Sequence, residues 1–64
     1  MKCYSVTSIY FDSGKASAFP PEEHDLPTLP EDTFESCRTF DKYVEWYDSE
    51  EAARSFYEYL KMSI

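Results

Sequence analysis

Cations, cysteines and glycine are scarce in this chain, and each shortage closes off a class of function. Six Lys and Arg face thirteen Asp and Glu in 64 residues, giving a net charge of −7. Six scattered cations cannot form the basic track that phosphate neutralisation requires. The surplus of negative charge also repels nucleic acid and anionic membrane surfaces. The two cysteines, Cys3 and Cys37, and the single histidine, His24, share no CxxC or HxxxH spacing, so no metal site is expected. No cofactor motif is found either. Such sparse cysteines fit free thiols in a cytoplasmic protein, with a disulfide open only if the strands bearing them are adjacent. No run approaches the ~20 apolar residues that span a bilayer. Residues 1–5 lead into an alternating pattern instead of the apolar stretch of a signal peptide. One glycine and four prolines argue against a flexible or disordered whole.

What the chain has in quantity is apolar and aromatic surface. Apolar residues make up 42%, with one Trp, six Tyr and five Phe. Aromatic side chains bury large areas, and a chain near the lower size limit of autonomous folding benefits most from them. A single domain is expected.

Residues 40–61, FDKYVEWYDSEEAARSFYEYLK, organise that domain. Residues 40–47 read as a strand, with Phe40, Val44 and Trp46 on one side and Tyr43, Glu45 and Tyr47 on the other. We expect the Val/Trp side to be covered and the Tyr/Glu/Tyr side to face outward. Asp48-Ser49 forms a corner, and a helix runs over 49–61 with either residue as its N-cap. Glu50 and Glu51 then oppose the positive end of the helix dipole. Ala53, Phe56, Tyr57 and Leu60 follow the spacing of one helical face, widened by Ala52 and Tyr59. Arg54 and Glu58 are spaced as an i, i+4 pair.

Residues 2–19 read as a hairpin whose turn is Asp12-Ser13-Gly14-Lys15, with Gly14 placed where positive φ is needed. Neither face of residues 2–12 is cleanly apolar. A bulge near Ser8 would gather Tyr4, Val6, Ile9 and Phe11 on one side. Residues 20–33 read as an acidic, proline-rich loop, because prolines at 20, 21, 27 and 30 exclude helix and interior strand. Residues 33–38 either start the next strand or lie across its entry. The expected fold is α+β: a three-stranded antiparallel sheet in order 2-1-3, with one C-terminal helix across one face.

Catalysis finds little support. Cys37 beside Arg38 has a neighbouring cation, but adjacent strand residues face opposite sides, and His24 is the one imidazole base, placed in a loop expected to be exposed. Paired acids such as Glu22/Glu23 need a cleft that drives their pKa values apart, and a chain this small rarely offers one. We therefore expect no enzyme. Ordered carboxylates are another matter, because they can stand in for duplex phosphates. Strand neighbours at i, i+2 lie ~6.6 Å apart and helix neighbours at i, i+4 about 5–6 Å, on the scale of successive phosphates. Glu22, Glu23, Asp25, Glu31, Asp32 and Glu35 in the loop, with Glu45, Asp48, Glu50 and Glu51, form the candidate array. Tyr43 and Tyr47 flank it as aromatic anchors. The plainer alternative is that the acids serve solubility and the loop is a solvated crossover.

Residues 43–53, YVEWYDSEEAA, look like the strand-to-helix corner of short phage and mobile-element proteins, where an aromatic strand ends in Asp-Ser and enters a Glu-Glu-Ala helix start. In size, acidity and absence of a catalytic motif the chain resembles phage-encoded inhibitors of host defence, including anti-CRISPR and anti-restriction DNA mimics. The resemblance implies a non-enzymatic inhibitor acting in the host cytoplasm on a basic, nucleic-acid-binding protein surface. It assigns no individual residue. The alternatives are a self-associating structural or adapter domain and an antitoxin-like partner of a basic protein.

Overall fold

The computed structural model describes residues 1–63. Its elements are β1 (Lys2–Phe11), β2 (Ala16–Ala18), β3 (Glu22–Asp25), β4 (Thr33–Ser36), β5 (Phe40–Tyr47) and α1 (Glu50–Ser63). The α+β class is as expected, but the antiparallel sheet has five strands where three were expected. The long strand β1 lies at its centre, with β5 on one edge and both β2 and β3 along the other, while β4 closes the far side of β5.

The two additional strands are β3 and β4, the latter in the stretch 33–38 that was expected either to start the next strand or to lie across its entry. β3 falls inside the proline-rich segment expected to be a loop. Together, β2 and β3 make one interrupted edge strand. Ser8 faces Ala18 and Ser5 faces Glu22, so Phe19, Pro20 and Pro21 stand opposite just Val6 and Thr7. Phe19 donates its N–H to the Thr7 carbonyl at 2.9 Å, and the two prolines, which have no N–H, sit where the ladder lapses. The extra residue is a bulge in the edge strand. β1 itself carries none near Ser8, since its register with β5 is unbroken from Tyr4↔Tyr47 to Phe11↔Phe40. β4 is a separate strand, linked to β5 by a turn in which Cys37 donates to the Phe40 carbonyl at 2.7 Å.

The first hairpin turns as its sequence dictates. Gly14 has φ +93°, Gly14 donates to the Phe11 carbonyl at 3.0 Å, and Phe11 donates to the Lys15 carbonyl at 2.8 Å. No Cβ at position 14 would meet a neighbour within 4 Å, so glycine is needed there for its backbone and not for space. Cys3 pairs with His24 at one end of the sheet, whereas Cys37 lies in the turn at the other, and both thiols are free.

Helix α1 starts on Ser49, whose hydroxyl accepts the Ala52 N–H at 3.1 Å. Ser49, not Asp48, is therefore the N-cap. Arg54 bonds Glu50 at 3.2 Å instead of Glu58, which pairs with Lys61 at 4.0 Å. Ala53 and Leu60 are buried against Val6, with Phe56, Tyr57, Tyr4, Ala18 and Tyr47 packed around them. Tyr59 does not extend this stripe; it is 63% exposed and stacks along Phe56, with ring centroids 6.4 Å apart.

The face under the helix is the reverse of the expected one. Paired residues of neighbouring strands share a face. Tyr4, Val6, Ser8 and Tyr10 therefore lie with Tyr47, Glu45, Tyr43 and Asp41. This is the helix side, because Val6 belongs to the core with Ala53 and Leu60. Val44 and Trp46 sit opposite Thr7 and Ser5 on the other side. There a smaller cluster forms. The Ser5 hydroxyl and His24 Nε2 are 3.1 Å apart, the His24 ring lies 4.9 Å from that of Trp46, and the buried Cys3 Sγ is 4.0 Å from the Thr28 carbonyl. His24 is thus half-buried and engaged, not the free loop residue anticipated.

Candidate functional site

Register alone explains where the acids go. β1 begins, β3 ends and β5 ends at the same end of the sheet, since Lys2 faces Asp25 and Tyr4 faces Tyr47. The Asp48-Ser49 corner and the first helical turn follow β5 at that end. The crossing between β3 and β4 returns there too: Asp32 Oδ1 accepts the Trp46 N–H at 2.8 Å. Glu22, Glu23, Asp25, Glu31, Asp32, Asp48, Glu50 and Glu51 consequently gather at one end of the molecule. The opposite end carries the two turns, with Lys15, Arg38 and Lys42 near Asp12, Glu35 and Asp41. The molecule is charge-polarised along its strands.

Some of these acids meet cations of their own. Asp25 lies 3.4 Å from the Met1 amino group, Glu23 lies 3.5 Å from Lys2 Nζ, and Glu50 bonds Arg54. All three pairs are exposed and of little energetic weight. Of the thirteen carboxylates, only these three and Glu58 pair with a cation among the described residues. The Tyr4 hydroxyl donates to Glu23 Oε1 at 3.3 Å, and the phenol is pushed above its ordinary value, first by burial and then by Glu23 and Glu50.

Four candidate residues lie away from this end group or inside the body. Glu35 faces Lys42 in the β4–β5 ladder. Tyr43, Glu45 and Tyr47 lie on the helix side, so they do not flank an outer array. Tyr47 packs on Phe56, with ring centroids 5.7 Å apart, and donates its hydroxyl to Glu45 Oε2 at 3.2 Å. Burial, then the Glu45 charge and this hydrogen bond, push the Tyr47 phenol up to about 12.

Beside α1, which leaves the β4 side of the sheet uncovered, is a cleft of about 270 Å³ lined by Ser8, Tyr10, Tyr43, Glu45, Phe56 and Leu60. Its rim continues in aromatic residues: Tyr10 meets Tyr43 edge-on at 5.6 Å, and Phe34 lies 4.9 Å from Tyr43. Phe34 is 58% exposed on β4. Sequence reading missed this grouping of Tyr10, Phe34, Phe56 and Leu60 around Glu45. Its signal is the strand register that sets Glu45 opposite Val6 and Tyr43 opposite both Ser8 and Phe34, which a local pattern does not contain.

Chemically the molecule offers charge and aromatic surface. Among the described residues, no three His, Cys, Asp or Glu side chains are grouped to hold a metal ion. Ser5 and His24 approach as a nucleophile and base would, but Ser5 is buried and the contact satisfies two polar groups beneath Trp46. No helix among the described residues is long and apolar enough to cross a membrane. No protein-family model, curated protein or solved structure matches the chain, so function is argued from the geometry alone.

Proposed function

We propose that this chain is a non-enzymatic acidic binding protein that occupies a basic, nucleic-acid-binding surface of another protein. In kind it corresponds to the phage-encoded, anti-CRISPR-like inhibitors of host defence. One observation carries the reading: acids distant in sequence converge on one end of a rigid sheet, and most lack a cation of their own. Fixed negative charge on a compact body speeds encounter with a cationic groove. Its members Glu22 to Asp25 stand on a hydrogen-bonded strand and not on a flexible loop, which lowers the ordering cost of binding.

The test is capture from a bacterial lysate on the immobilised chain at two salt concentrations. The comparison is a variant carrying Glu22→Gln, Glu23→Gln, Asp48→Asn and Glu51→Gln. The expected catch is a nucleic-acid-binding protein that duplex DNA displaces, that high salt releases and that the variant fails to hold. Equal capture by the variant, or indifference to DNA, would refute the proposal.

A second reading, self-association, is favoured by β4. Its outer edge is unpaired among the described residues, all four of its residues are exposed, and Phe34 projects from it. The β2–β3 edge is blunted by a bulge, two prolines and acids, as natural edges are. A dimer in sedimentation that persists at high salt and is lost in Phe34→Glu would support this reading over the first.

A further inference from the structure

We infer that the cleft lined by Tyr10, Tyr43, Glu45, Phe56 and Leu60 seats a guanidinium group, one arginine side chain of the basic partner. This deepens the binding reading above and rests on it.

The argument begins with Glu45. It lies on the helix side of the sheet opposite the core residue Val6 and is itself half-buried. A half-buried carboxylate loses part of its hydration, which favours a partner that compensates. Its protein hydrogen bond is the Tyr47 hydroxyl on Oε2, and no cation pairs with it among the described residues. The chain's nearby cations are committed elsewhere. Arg54 bonds Glu50, Lys61 stands 4.0 Å from Glu58 and 5.3 Å over the Tyr57 ring, and Lys42 faces Ile9 on the other side. A partly desolvated anion thus stands in a cleft of about 270 Å³ with aromatic walls.

That combination selects for arginine. A guanidinium stacks on aromatic faces, is more weakly hydrated than an ammonium, and donates in a planar fork that suits a carboxylate. Glu45 keeps free acceptor capacity for it, since an ionised carboxylate has about four lone-pair sites. A neutral apolar occupant would leave the charge uncompensated, and an anion would be repelled.

The experiment is an amide and aromatic NMR titration of the intact chain with N-acetyl-arginine methylamide. The citrulline and lysine analogues serve as neutral and ammonium controls. Arginine should produce saturable shifts at Ser8, Tyr10, Tyr43, Glu45 and the Phe56 ring, with lysine weaker and citrulline inert. Glu45→Gln, which keeps a hydrogen-bond acceptor for Tyr47, should weaken arginine at least about tenfold while leaving amide dispersion unchanged. Equal response to citrulline or lysine, shifts confined to the acidic end, or an unaffected Glu45→Gln would each overturn the assignment. An occupied cleft in a chain that captures no DNA-displaceable protein would leave this inference standing and remove the proposed function. The converse pattern would do the opposite.

Discussion

Two valines on neighbouring strands provide the sharpest test of which face of the sheet is the core. Val6 has no exposed surface and contacts the helix residues Ala53 and Leu60. Val44 is half-buried on the other side, opposite Thr7. Val6→Ala deletes two carbons from a filled site. The transfer loss is ~1.6 kcal/mol at ~0.8 per methylene, and the cavity left beside Leu60 raises it to about 2–3 kcal/mol. The whole chain, at ~0.05–0.15 kcal/mol per residue, holds only about 3–10 kcal/mol. The substitution therefore removes a large fraction of stability and lowers the melting temperature by ~10–20 °C. Val44→Ala makes the same chemical change at the same strand propensity, so that contribution cancels in the comparison. Incomplete burial should hold its cost to ~1 kcal/mol or less. Urea denaturation followed by circular dichroism measures both. A larger cost for Val44→Ala would place the helix on the Val44/Trp46 side, and equal costs would mean that neither face is the single core; either result would overturn the account of the core and of the Glu45 cleft.

Two further outcomes follow from local contacts. Ser49→Ala removes the hydroxyl that accepts the Ala52 N–H and should cost about 1 kcal/mol in the same urea assay, whereas Asp48→Ala should cost less, because Asp48 is not the cap. The Tyr47 phenol, held up to about 12 by burial and then by Glu45, keeps its proton more tightly in the folded chain than in the unfolded one. The stability this contributes is complete below about pH 10, the unfolded value, and is lost as pH rises through about 12. Ring resonances followed against pH should show Glu45→Gln bringing the Tyr47 titration to lower pH, and an unmoved titration would mean that the carboxylate is not beside the phenol.

Which parts of this structure were legible in the sequence depended on how local their causes are. The helix was legible because its signals lie within a few residues of one another: a serine cap, two acids in the first turn, and apolar residues at 53, 56, 57 and 60. The first hairpin was legible because Gly14 marks its turn. The orientation of β5 was not. Its Phe40/Val44/Trp46 face is the more apolar of the two by composition and so pointed to the wrong side; the helix covers the Tyr43/Glu45/Tyr47 face because Val6 and Ser8, more than thirty residues away in the chain, stand there across the ladder. The strand β3 was hidden by its prolines, which signal a break but not that hydrogen bonding resumes one residue out of step beyond it. The strand β4, Thr-Phe-Glu-Ser, is exposed at every position and carries no burial pattern to read. The acids were easily seen as numerous. Their convergence is a product of topology, because it depends on β1 having β3 on one edge and β5 on the other.

The two features assigned to binding differ in range, and that difference divides their roles. Charges at the acidic end act across roughly a Debye length, about 8 Å at physiological salt. They govern how fast a cationic surface arrives and how steeply its binding depends on salt, but many arrangements of basic residues would satisfy them. Glu45 acts only on what enters the cleft, where partial desolvation strengthens its attraction and the aromatic walls restrict the shape of the cation. On the proposed reading, the acidic end recruits and the cleft fixes the register in which the partner docks. Neutralising the end should therefore slow association and flatten its salt dependence, while Glu45→Gln should leave the association rate nearly intact and speed dissociation. If both changes acted on the association rate alone, the cleft would be one more patch of surface charge, and its aromatic lining would need another explanation.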